Sequence, residues 1–227
     1  MMDTWIALLI ALAVWTALQM YYCGRGHVQK WNGQGVKTAW ERYLTYWKTW
    51  KGRGIFLGGI AGMLLCSGLA TYYKMSYINC IRNGLTAAWL LTVALIDAKE
   101  QIIPHALTIS GFLAWAVLVL LAVFLGGGAL SSVLLFSLGG CGLGGGVFFL
   151  CRLLARGGVG MGDIRVFGIL GLLFGMNNTF SIVFFTILFM SVYGIGAVLC
   201  RKKNMKSQVP MGPFILAAYM LCCILGV

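Results

Sequence analysis

The stretch Gly157-Gly158-Val159-Gly160-Met161-Gly162-Asp163-Ile164-Arg165 separates two apolar runs and carries one of only five acids in the chain. Its glycines permit turns closed to other residues, and Asp163 stands where the next apolar helix opens. The apolar run before it has about the 20 residues that a helix needs to cross hydrocarbon, and the run after it is shorter. A carboxylate at such a junction costs free energy that some interaction must offset, so a functional role is the first hypothesis.

Composition fixes the solvent. Of the 227 residues, 60% are apolar and 10% charged, and mean hydropathy is +0.90, a balance that a water-facing surface does not tolerate. An all-α, polytopic integral membrane protein is expected, with about eight transmembrane helices. They run near Trp5–Tyr22, Gly54–Tyr73, Gly84–Ile96, Ala106–Leu125, Ala129–Leu150, Ile164–Met176, Phe180–Leu199 and Gly212–Val227. The third and sixth are short, and each borders an acid. The first lacks a basic leader region, carries Asp3, and reads as a retained helix rather than a cleaved signal. The eight cysteines form no CxxC pair and no pattern of metal spacing, so they read as apolar packing residues.

Orientation follows from the basic residues. Seven Lys and Arg fall after the first span, one after the third, three after the fifth and four after the seventh, against two (Lys74, Arg82) on the opposite side. That bias places both termini outside and the basic loops in the cytoplasm. The net charge of +12 then reports topology and attraction to anionic membrane lipid, not nucleic acid. Across Val36–Lys51, apolar Val36, Ala39, Trp40, Tyr43, Leu44, Trp47 and Trp50 recur at three- and four-residue steps, as expected of an amphipathic helix lying in the interface. The chain divides into 1–77, two helices with this basic aromatic loop, and 78–227, which holds the chemistry.

The second informative stretch is Leu95-Ile96-Asp97-Ala98-Lys99-Glu100-Gln101-Ile102-Ile103-Pro104-His105-Ala106-Leu107-Thr108. Here a helix closes at Asp97, a polar turn follows, and Pro104 opens the next helix, where its missing N–H is harmless. Two spans lie between Asp97 and Asp163, so the chain returns to the side it left and both acids share the cytoplasmic face. Asp3, Glu41 and Glu100 read as solvated charges. For Asp97 and Asp163 the plain alternative is an ion pair with Lys99 or Arg165.

The residue inventory then narrows the chemistry. The two histidines, His27 and His105, the serines and the cysteines form no nucleophile–base array, and two carboxylates with at most His105 leave a metal underliganded, so neither a metal nor another cofactor is expected. Two neighbouring carboxylates can share one proton and activate a water between them. Asp163 opens its helix, the end that suits a carboxylate base, whereas Asp97 closes its own, which suits the acid.

Gly160-Met161-Gly162-Asp163 followed by Arg165 closely resembles the second catalytic motif of type IV prepilin peptidases. Ile96-Asp97, with Ile103-Pro104 and Leu107-Thr108, resembles their first motif. Val209-Pro210-Met211-Gly212-Pro213-Phe214 is similar to the Pro-x-Gly-Pro-Phe entry of their last helix. The resemblance covers roughly 78–227, and makes that part a membrane aspartic peptidase core. It implies removal of a short basic leader from type IV prepilin or pseudopilin precursors at the cytoplasmic face of a prokaryotic inner membrane. By position Asp97 and Asp163 take the catalytic roles, and Gly160, Gly162, Lys99, Arg165 and Pro104 bind substrate or shape the site. Arg165 stands where Lys is common. The first cytoplasmic loop lacks the paired-cysteine cluster of long members that also N-methylate, so no methyl donor is implied. Gly171 and Gly175 form a small-xxx-small pair suited to helix packing.

Two other readings remain open. A presenilin-like intramembrane protease shares GxGD, although its other Asp usually follows Tyr rather than Ile96. A proton-coupled transporter would use the same acids as a relay, near mid-membrane.

Overall fold

The structure, a computed structural model, describes residues 13–14, 16–19, 50–124, 127, 129–154, 160–199 and 209–226. Most of the first expected span and of the Val36–Lys51 amphipathic segment lie outside the described residues, as do Gly157 and Gly158. Beyond helical residues at 13–14 and 16–19, the described residues form six helices and no strand. These are α1 (Trp50–Tyr72), α2 (Tyr77–Glu100), α3 (His105–Phe124), α4 (Leu130–Leu154), α5 (Met161–Leu199) and α6 (Gly212–Leu225). Ile78–Glu100, His105–Phe124, Leu130–Leu154 and Met161–Ala197 are long and apolar enough to cross a membrane. The protein is thus an all-helical, multi-pass membrane protein.

Two compact units divide the chain at 1–92 and 93–227, and α2 runs through the boundary. In the first unit α1 ends at a turn in which the Tyr73 amide donates to the Leu69 carbonyl (2.9 Å) and Lys74 takes φ 53°. The second unit holds both acids and is described by itself below.

Two expectations are corrected here. The third span is not short. Arg82 and Asn83 lower the hydropathy ahead of Gly84, yet α2 is 24 residues long, and Asp97 lies in its last turn with Ala98–Glu100 still helical after it. The Thr86 and Thr92 hydroxyls donate to the carbonyls of Arg82 and Ala88, four residues back, which satisfies them inside the helix. Helix α2 stops when Gln101 enters the left-handed region (φ 54°) and its amide donates to the Asp97 carbonyl at 2.9 Å. This is the single-bond αL cap, usually made by glycine. Gln101→Gly relieves the side-chain strain at some gain in unfolded-chain entropy, for a net stabilisation of about 0.5 kcal/mol. A small rise in the detergent melting temperature with unchanged activity is the expected result, and a fall would remove the strain argument.

The second correction concerns the sixth and seventh spans. No linker separates them: helical residues continue on both sides of Gly175, whose φ 70° and ψ −170° break the helix at one position. The Thr179 hydroxyl reaches the Leu170 carbonyl at 3.4 Å. Nine residues along an unbroken helix would separate those levels by about 13 Å, so α5 doubles back at Gly175 into two arms. Consistent with this, Phe174 of the first arm packs on Tyr219 (ring centroids 5.6 Å apart), and Tyr193 of the second packs on Phe214 at the start of α6 (5.2 Å). The reversal returns the end of α5 to the level at which it began.

Glycine backbones make the tightest crossing in the unit. A Cβ on Gly171 would strike the Gly140 carbonyl group and come within 2.6 Å of the Cys141 nitrogen. One on Gly140 would lie 2.6 and 2.7 Å from Gly175 backbone atoms, and one on Gly144 would strike the Phe167 carbonyl oxygen. Helix α4 and the first arm of α5 therefore touch backbone to backbone, the small-residue packing available where lipid offers no hydrophobic drive. Gly175 has the further task of the left-handed turn, with Phe136 packed against it. Phe148 stacks on Phe167 (4.0 Å, 7°), and the Trp115 indole N–H donates to Ser137 Oγ at 3.1 Å, tying α3 to α4. Leu135, Phe149, Leu153, Phe180 and Val192 stay exposed on the other faces, as lipid-facing side chains do.

Candidate active site

Three contacts gather the ends of four helices. Ile103, before α3, packs on Gly162 at the start of α5. Arg165 Nη1 donates to His105 Nδ1 at 2.9 Å. The Gly212 amide at the start of α6 donates to Asp97 Oδ2, in the last turn of α2, at 2.7 Å. Asp97 and Asp163 are thereby brought to one end of the second unit, near enough for their charges to repel.

Asp97 is buried, with 5% of its surface exposed. Asp163 is half-buried and is the third residue of α5. The Gly160 amide hydrogen-bonds its carboxylate, which is the reach-back half of a capping box, an N3 acid on the N-cap amide. A Cβ at position 160 would sit 2.9 Å from Asp163 Oδ2, so a side chain there would crowd the capped carboxylate. The first turn then closes through the Ile164 amide on the Gly160 carbonyl (3.5 Å). Each acid thus accepts an amide from a glycine at the start of a helix. The helix-end distinction expected between them disappears, because Asp97, although near the C-terminus of α2, also meets the N-terminus of α6.

The other expected site residues are distributed unevenly. Pro104 is buried and its carbonyl accepts the Leu107 amide at 3.1 Å, so it builds the first turn of α3. The space beside Gly162 is taken by Ile103, whose Cβ would lie 2.9 Å from a Cβ there. Lys99 is exposed and two residues past Asp97, about 200° around the helix. Arg165 is likewise turned from Asp163, toward His105. Because a guanidinium only donates, His105 Nδ1 accepts and the ring proton sits on Nε2. Sequence reading missed the partnership of His105 with Arg165 and the contact of Gly212 with Asp97. For Gly212 the signal was present, in a glycine held between Pro210 and Pro213 at a helix start.

Among the described residues no group of three or more His, Cys, Asp or Glu is placed to hold a metal ion. What the arrangement offers is two carboxyl groups from different helices, each with one oxygen engaged by a backbone amide, at the end of an apolar bundle. Such a pair can share a proton and polarise a water.

No curated protein and no solved structure matches the chain significantly. Residues 84–195, which contain both acids, match the family model described as the type IV leader peptidase family. With the two aspartate motifs inside the matched region, the chain belongs to the type IV leader peptidase family, a family of membrane proteases.

Proposed function

We propose that this protein removes the short basic leader of type IV prepilin-like precursors at the cytoplasmic face of a prokaryotic inner membrane, with Asp97 and Asp163 as an aspartate dyad. The observation that carries the reading is the convergence of these two acids, from the end of α2 and the start of α5, at one end of the second unit, close enough to interact. A water between them gives a proton to the unprotonated carboxylate as its oxygen attacks the scissile carbonyl carbon. The other carboxyl protonates the carbonyl oxygen, forming a neutral gem-diol. Collapse breaks the C–N bond as one diol hydroxyl gives its proton to the ionised carboxylate and the leaving nitrogen takes the proton of the other carboxyl, so the pair is left with one shared proton as at the start. Either carboxyl can hold the shared proton, so neither acid is assigned a fixed role in the resting state.

Gly160 and Gly162 keep side chains out of the turn beside Asp163, Pro104 builds the turn facing it, and Lys99 and Arg165 flank the site at the membrane surface. Anionic lipid steadies the basic loops at that surface, and the chemistry calls for no cofactor. A leader-bearing pilin precursor, co-expressed with the wild type, shifts on a gel to the mature length. An unprocessed precursor there sinks the reading.

A further inference from the structure

The segment Val209–Phe214 has no task in the mechanism above and lies outside the matched residues 84–195. Its backbone nevertheless touches the first acid. The bond from the Gly212 amide to Asp97 Oδ2 is short, 2.7 Å, and buried, and it links positions 115 residues apart. The local sequence makes that amide available. Pro213 has no N–H, and the Phe214 and Ile215 amides both donate to the Met211 carbonyl, at 3.0 and 3.1 Å. Of residues 212–215, Gly212 alone turns an amide outward from the helix. The position also crowds any side chain, since a Cβ at 212 would lie 3.0 Å from Asp97 Cβ and from the Ala94 backbone.

We infer that Gly212 is a positioning residue for Asp97, whose amide holds Oδ2 and leaves Oδ1 as the oxygen that faces the water and carries the shared proton. This rests on the dyad reading. The physical basis is the softness of the carboxylate torsion, which spans a broad well and aims the group poorly when unrestrained. A buried, charge-assisted bond from a rigid helix start fixes it. An oxygen that already accepts the amide keeps its acceptor role, so a proton on Asp97 sits on Oδ1. Pro213 contributes by confining the first turn to one outward donor, and its own ring suits the start of a helix. The third motif is therefore part of the catalytic apparatus, not only a helix entry.

The test replaces the Met211–Gly212 amide by an ester, through glycolic acid incorporated at position 212, which removes the donor and adds no atom toward Asp97. Cleavage of a pilin precursor in proteoliposomes is expected to lose about 10²-fold in kcat, the scale of a misplaced catalytic group, with KM within twofold of wild type. Thermal unfolding in detergent gives a readout independent of catalysis. The ester lowers the melting temperature more in the wild-type background than in the Asp97→Ala background, where the remaining loss is that of the weaker ester carbonyl at Met211, which accepts the Phe214 and Ile215 amides. An unchanged kcat, or equal melting losses in both backgrounds, makes Gly212 a packing glycine and overturns the proposal. If the wild type itself leaves the precursor uncut, the peptidase reading fails, while the pair of melting measurements still decides whether the amide serves Asp97.

Discussion

Asp163→Asn and Asp97→Asn each lower precursor processing by about 10³-fold, within the range that general acid–base groups contribute. Asn is isosteric, and its side-chain oxygen still accepts the Gly160 or Gly212 amide, so both variants keep the wild-type fold and melt near it. The double variant is no slower than either single one, because the two carboxyls act on one water and the loss of either ends the proton exchange. Initial rates of precursor cleavage in proteoliposomes measure all three. A single variant within threefold of wild type removes that acid from the chemistry, and a double variant whose loss equals the product of the single losses means that the acids act separately.

The largest structural effect is expected at the glycine crossing. Gly171→Ala and Gly140→Ala each destabilise by about 3 kcal/mol, the upper part of the range for overpacking, because the added methyl meets backbone rather than the end of a flexible side chain. Gly139, Gly142 and Gly146 lie in the same helix as Gly140, and a methyl added at any of them would find nothing within 4 Å. There alanine stabilises by up to about 1 kcal/mol through helix propensity. Opposite signs for glycines one residue apart are the signature of the crossing, read by unfolding in denaturing detergent. Gly175→Ala also loses stability, from the φ of 70° and from Phe136 against it. Equal effects at Gly139 and Gly140 would falsify the backbone contact.

Much of the site was legible in residues 84–195. Hydropathy marked α3, α4 and α6 to within a few residues, since the need to satisfy backbone polar groups in lipid leaves a helix as the sole workable choice for such runs. The two acids were legible because charge is scarce in this chain, and because turn residues surround both: Gln101 to Pro104 after one, Gly160 and Gly162 before the other. Where reading failed, hydropathy was the wrong measure. Arg82 and Asn83 hid the first two turns of α2, Tyr77–Asn83, and Asn177 and Asn178 imitated a loop where α5 is helical.

By itself the sequence determined an all-helical membrane protein of this peptidase family and singled out Asp97 and Asp163 as candidates, because solvent preference and short motifs are properties of neighbouring residues. Tertiary structure alone decided that α5 reverses at Gly175, that Gly140 meets Gly171, that Arg165 turns to His105, and that Gly212 holds Asp97. A helix apolar on every side carries no stripe to announce which face meets a neighbour. Contacts in such a bundle are set by where small residues let backbones approach and where a lone amide finds an acid, and both depend on residues far apart in the chain.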